Sequence, residues 1–171
     1  MNIKKQSAGV WVNLIAAILA LASLIVYGVN ISSAGYFQNA AVSSMLPYGI
    51  LAVVLLALAI VLAQLKLTGG AAAAVKLVSG AMRIAAPVLL TLCLINLIAA
   101  RAEGLGFIYF SNADVTLEVQ TPENLSSATG TIANMICLAV SAVAAMAAAL
   151  LKSVPTRARR RQSHSAKISS S

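Results

Sequence analysis

Four predominantly apolar runs, at residues 10–29, 46–65, 84–100 and 132–151, constrain this chain more than any other feature of it. A helix of about 20 residues crosses the roughly 30 Å hydrocarbon core of a bilayer. The third run extends back to Met82, which gives spans at about 10–29, 46–65, 82–100 and 132–151. The expected fold is an all-α membrane protein, a four-helix transmembrane bundle. Composition agrees: 60% of the residues are hydrophobic and 9% charged, where a soluble domain has about 25% charged. The 171 residues are nearly used up by four helices and their loops, leaving no room for a separate catalytic domain.

The first run must be distinguished from a signal peptide, because Lys4 and Lys5 precede it and Ala20-Leu21-Ala22 has the small residues of a cleavage site. The apolar run continues through Leu24, Ile25, Val26 and Tyr27, past the roughly 7–15 residues of a signal core. It therefore reads as an uncleaved anchor. Lys and Arg are retained on the cytoplasmic side of short loops, and eleven of the twelve cations fall on one side of these four spans. Only Arg101 falls on the other side, with all four acids, Glu103, Asp114, Glu118 and Glu123. The expected arrangement is a multi-pass protein of the cytoplasmic membrane: a cytoplasmic tail at 1–9, a membrane domain at 10–151, and a basic, Ser-rich, disordered cytoplasmic tail at 152–171. Trp11, Tyr27 and Tyr48 fall at span ends, as an aromatic belt requires.

The outer loops carry the chain's other pattern. Phe107-Ile108-Tyr109-Phe110 is strand-like, Val115-Thr116-Leu117-Glu118-Val119 alternates with period two, and Ser111 to Asp114 supplies turn residues. This predicts a small extracytoplasmic β-hairpin in the third-to-fourth helix loop. An isolated hairpin is marginal in water, so Tyr36 and Phe37 of the first outer loop are expected to cover it. Tyr36, Phe37, Phe107, Tyr109 and Glu118 are the candidate contacts for an outer-face partner. The bland alternative is that the cap only shields helix ends. The four acids lack the ligand spacing of a calcium loop. Asn30-Ile31-Ser32 and Asn124-Leu125-Ser126 fit the glycosylation acceptor pattern.

The four apolar cores contain no ionisable residue, which argues against a proton-coupled transporter, a pump or a voltage sensor. Among neutral polar residues, Asn13 and Gln64 lie near the inner interface, whereas Asn96 and Asn134 lie toward the outer side and can bond across helices. The fourth span carries small residues at four-residue spacing, Ser141-Ala145-Ala149 and Ala144-Ala148, which lets helices approach closely. Ala16 and Ala20 match more weakly on the first span. Ser141, Ala144, Ala145, Ala148, Ala149, Asn96 and Asn134 are the candidate packing residues. Cys93 and Cys137 read as small apolar fillers, with a bridge between neighbouring helices left open.

On the basic side, Thr68-Gly69-Gly70 breaks the helix, and a lead-in follows that carries Lys76 and Arg83, seven residues apart and so on one face. Both are expected to snorkel to headgroups, and Pro87 to kink the span. Arg157, Arg159, Arg160 and Arg161 are expected to bind anionic lipid, with Ser163 beside them as a phosphorylation candidate. His164 is the only histidine, so a His metal cluster and a Ser-His triad are excluded. The aromatic-basic interleaving of a nucleic-acid surface is absent.

These residues favour a non-enzymatic accessory or scaffold subunit without cofactor. It would act through helix packing and its outer loop on another membrane protein or a second copy of itself. The alternative is an oligomeric passive pore for a neutral solute, which needs a continuous polar path. An enzyme ranks last, because neither cysteine has a visible base.

Overall fold

The computed structural model describes residues 8–64 and 70–153. They form α1 (Ala8–Ser32), α2 (Met45–Gln64), α3 (Gly70–Phe110), the short α4 (Ala113–Val119) and α5 (Pro122–Ser153). The four long helices are each long and apolar enough to cross a membrane. They close a four-sided ring in which α1 packs on α2, α2 on α3, α3 on α5 and α5 back on α1. Neighbours run antiparallel, as Asn13 against Leu56, Asn96 against Ser44, and Ser141 against Ala16 require.

The packing follows one rule on every helix. Buried positions alternate steps of four and three: Gly9, Asn13, Ala16, Ala20, Ser23 and Tyr27 on α1, and Met45, Gly49, Ala52, Leu56 and Ala59 on α2. On α3 the same steps carry Ala86, Leu90, Cys93 and Leu97, and on α5 they carry Asn134, Leu138, Ser141, Ala145 and Ala148. This is the spacing of helices that cross at about +20° with a left-handed twist. Most of these side chains are small, so the backbones approach closely. The large aliphatics face outward instead: Ile18, Ile25, Val29 and Val143 are more than half exposed, as lipid-facing side chains should be.

The expected β-hairpin does not form: the described residues contain no strand. Residues 107–110 are the last turn of α3, and 115–119 lie in α4. The reason is periodic. Leu97, Arg101, Gly104 and Ile108 continue the four-three steps of α3 and are all buried, so the apolar quartet extends a helix rather than beginning a strand. Asn112 then caps α4, its side-chain oxygen accepting from the Val115 amide at 3.1 Å. Thr121 caps α5, its hydroxyl oxygen accepting from the Asn124 amide at 3.2 Å, with Pro122 at the first helical position, where it needs no amide hydrogen.

Pro87 is accommodated inside α3. The helix has 41 residues, about 61 Å at 1.5 Å each, twice the hydrocarbon thickness. A helix of this length extends beyond the hydrocarbon it could cross, and its C-terminal turns carry the cap.

Candidate functional site

The cap is built from the loop after α1, the outer end of α3, α4 and the start of α5. Helix α1 stops where Ser32 and Ser33 turn their hydroxyls back onto the carbonyls of Gly28 and Val29, each at 2.8 Å. Gly35 then takes φ +140° against the backbone of Glu123, where an added Cβ would lie 2.7 Å from the carbonyl oxygen. That close approach and that φ both require glycine. The turn carries Tyr36 and Phe37 back over the end of the bundle.

Phe37 is buried with Ile108 and Ala128, and Leu105, Val119 and Leu125 pack around them. Tyr36 meets Phe37 edge-on at 5.2 Å between ring centroids and Phe107 at 6.1 Å. Gly104 sits beneath both loop rings. A Cβ there would come within 2.6 Å of Tyr36 and 2.7 Å of Phe37. Tyr36 and Phe37 thus pack on Phe107 and Ile108, which belong to a helix and not to the expected hairpin, while Phe110 stays exposed.

Arg101 clamps this arrangement. It is only 3% exposed. Its guanidinium donates to the Ala40 carbonyl and stands 4.4 Å from the centre of the Phe37 ring, a cation–π geometry. One loop is therefore tied to α3 by a charge-assisted hydrogen bond and a ring contact at once. The sequence reading counted Arg101 only toward orientation. Its signal was its isolation: a single cation against the charge bias, close to the end of a span and opposite two adjacent aromatics.

The remaining polar side chains are spent between helices. On the α1–α5 face, Ser23 donates to Asn134, and Ser141 donates to the Ala16 carbonyl at 2.7 Å. Asn30 donates to the Ser127 carbonyl at 3.1 Å and to the Thr131 hydroxyl at 2.8 Å, and accepts from the Ser127 hydroxyl at 3.0 Å. The asparagine of the first glycosylation triplet is thus used for packing. Asn96 donates to Ser44 at 2.9 Å on the α2–α3 face, and Asn13 to the Leu56 carbonyl at 3.1 Å. Asn96 and Asn134 lie on different faces of the ring and do not converge. Ser141, Ala145 and Ala148 are buried, with Ala144 and Ala149 half-buried beside them.

Cys93 and Cys137 are both free thiols, and Cys93 lies 3.7 Å from the Met45 carbonyl, to which it donates. Tyr109, Phe107 and Glu118 are exposed on the cap. Lys76 is exposed at the other end of the bundle, whereas the Arg83 side chain is 6% exposed, at a position that continues the buried steps of α3. Arg157, Arg159, Arg160, Arg161 and Ser163 lie outside the described residues.

No family model, curated protein or solved structure matches this chain.

Proposed function

We propose that this protein is a non-enzymatic accessory subunit of a membrane assembly, docking its partner through the extracytoplasmic cap. The observation that carries this reading is where apolar surface is left uncovered. Phe110 is 87% exposed and Leu117 86% exposed. Phe110 is ten residues beyond the third span, about 15 Å along the helix, past the hydrocarbon that covers the other outward aliphatics. Tyr36, Phe107 and Tyr109 are also partly exposed on this cap. Apolar surface of this kind outside the bilayer marks an interaction site.

The rim gives the partner's chemistry. Glu103, Asp114, Glu118 and Glu123 are all exposed around the cap, so the complementary face has an apolar centre and a basic border. The Arg101 clamp supports a docking role, because a cap held rigid before binding loses less entropy on association. A passive pore has less support: Asn96 and Asn134, its best lining candidates, are engaged with Ser44 and Ser23. The charge bias supports a cytoplasmic membrane location with both termini inside.

Photo-crosslinking side chains placed at positions 110 and 117, with a third at the lipid-facing position 143, test the proposal in the native membrane. The expected result is one discrete protein adduct from 110 and 117, and lipid adducts alone from 143. Lipid adducts alone from all three positions would remove the docking role.

A further inference from the structure

Toward the opposite end of the bundle, α3 and α5 line a groove of about 570 Å³, within the roughly 300–1,000 Å³ of ligand sites. Its walls are Ile84, Pro87, Val88 and Leu92 of α3 with Met146 and Leu150 of α5, and Arg83 also lines it. The Nε and both Nη atoms of Arg83 are buried without a hydrogen-bond partner among the described residues. Ser79, one helical turn away on the same face, has a buried hydroxyl in the same condition. These four are the buried side-chain polar atoms left without partners among the described residues, and they occur at one place. Elsewhere the buried Asn13, Ser23, Asn134 and Ser141 are satisfied across helices.

An uncompensated buried guanidinium is strongly destabilising. No carboxylate side chain of this chain can relieve it. All four acids lie between residues 103 and 123. The nearest along α3, Glu103, is twenty residues on, about 30 Å. No described residue supplies its counter-ion. A guanidinium fork is a donor set for phosphate. The walls then decide between a soluble anion and an amphiphile. Thr91, the groove's other polar side chain, already donates to the Pro87 carbonyl at 2.8 Å, and everything else is hydrocarbon. A soluble anion would gain nothing from those walls, whereas an acyl chain fills them.

We propose that this groove binds one anionic phospholipid, its phosphate on Arg83 and one acyl chain along the α3–α5 walls. The site is separate from the cap and stands whether or not the cap docks a partner. It also differs from a general attraction of headgroups to basic loops, because the cation is enclosed and the tail has its own seat.

The test uses the full chain, delipidated in mild detergent, with lipid occupancy read by native mass spectrometry. Phosphatidylglycerol and phosphatidylcholine with identical chains are the two probes. The wild-type protein should prefer the anionic lipid by about tenfold or more, as expected for a charge-assisted bond. Arg83→Gln should lose that preference, Ala149→Phe should fill the groove and lower occupancy by both lipids, and Lys76→Gln, an exposed cation, should change neither. A preference that survives Arg83→Gln, or that disappears equally in Lys76→Gln, overturns the proposal. If Arg83→Gln does not fold, undiminished occupancy in Ala149→Phe overturns it alone. Glycerol 3-phosphate serves as the soluble probe: if it raises the Tm as much as the phospholipid does, the site takes a free phosphate and the lipid assignment fails.

Discussion

Arg101 and Arg83 show that a cation's role is set by what surrounds it rather than by which loop it is counted in. Both are almost fully buried on the same helix. Arg101 has the Ala40 carbonyl and the Phe37 ring, whereas the Arg83 nitrogens have no hydrogen-bond partner among the described residues. The charge count assigned them to opposite sides and said nothing more of either, because sequence position bears on the side of the membrane but not on the direction in which a side chain turns. Removing the clamp should be expensive. Arg101→Gln gives up a hydrogen bond from a charged donor and a ring contact, together about 2–4 kcal/mol. Arg101→Lys should recover less than half of this, because an ammonium cannot lie flat on a ring while reaching a carbonyl. Thermal unfolding in detergent measures the loss. Protease sensitivity of residues 33–44 shows whether the loop opens first. An Arg101→Gln protein with unchanged Tm and an uncut loop would show that the clamp holds nothing.

At the scale of elements, the four spans were legible because hydrocarbon thickness fixes helix length and few other sequences satisfy that length. The cap was misread because a four-residue apolar run such as Phe107 to Phe110 fits either period. Two signals in the sequence did favour helices: Leu97, Arg101, Gly104 and Ile108 keep the inner steps of α3, and Thr121-Pro122-Glu123 has the composition of a helix start. The helical cap makes opposite predictions for two nearby glycines. Gly104→Ala places a methyl against the rings of Tyr36 and Phe37 and should cost about 1–3 kcal/mol through overpacking. Gly106→Ala meets nothing within 4 Å and should stabilise α3 by up to about 1 kcal/mol, the helix-propensity difference. Equilibrium unfolding of the two variants separates these outcomes. Destabilisation by Gly106→Ala, with Gly104→Ala silent, would mean that residues 104–106 are not helical.

For the molecule as a whole, apolar content could not reveal which helices are neighbours, since every span is apolar on all sides. The small and polar residues carry that information. Along α1, Gly9, Ala16, Ser23 and Asn30 recur every seven residues, and each meets a partner that steps back by seven along α5: Ala148, Ser141, Asn134 and Ser127. Ser141 and Ala148 of this ladder were legible only as members of two separate four-residue series. The α1 half was hidden because Ser23 looks like an interruption of the span and Asn30 falls just beyond it. The cap and the basic groove lie at opposite ends of the ring that this ladder closes, so their sidedness is a property of the bundle. If the charge bias orients it as proposed, a cysteine at Asp114 should react with a membrane-impermeant maleimide in intact cells and one at Lys76 only after lysis; the reverse pattern would invert the topology. The ladder itself predicts a register. In a background of Cys93→Ala and Cys137→Ala, Ser23→Cys with Asn134→Cys should form a disulfide on oxidation, because those side chains meet directly. Ser23→Cys with Ile136→Cys should not, because Ile136 is 58% exposed on the lipid side of α5. Monomeric mobility of the oxidised protein would show that one chain closes its own ring. A covalent dimer would show that α5 is exchanged between two copies, leaving the ladder intact but assigning each half to a different chain.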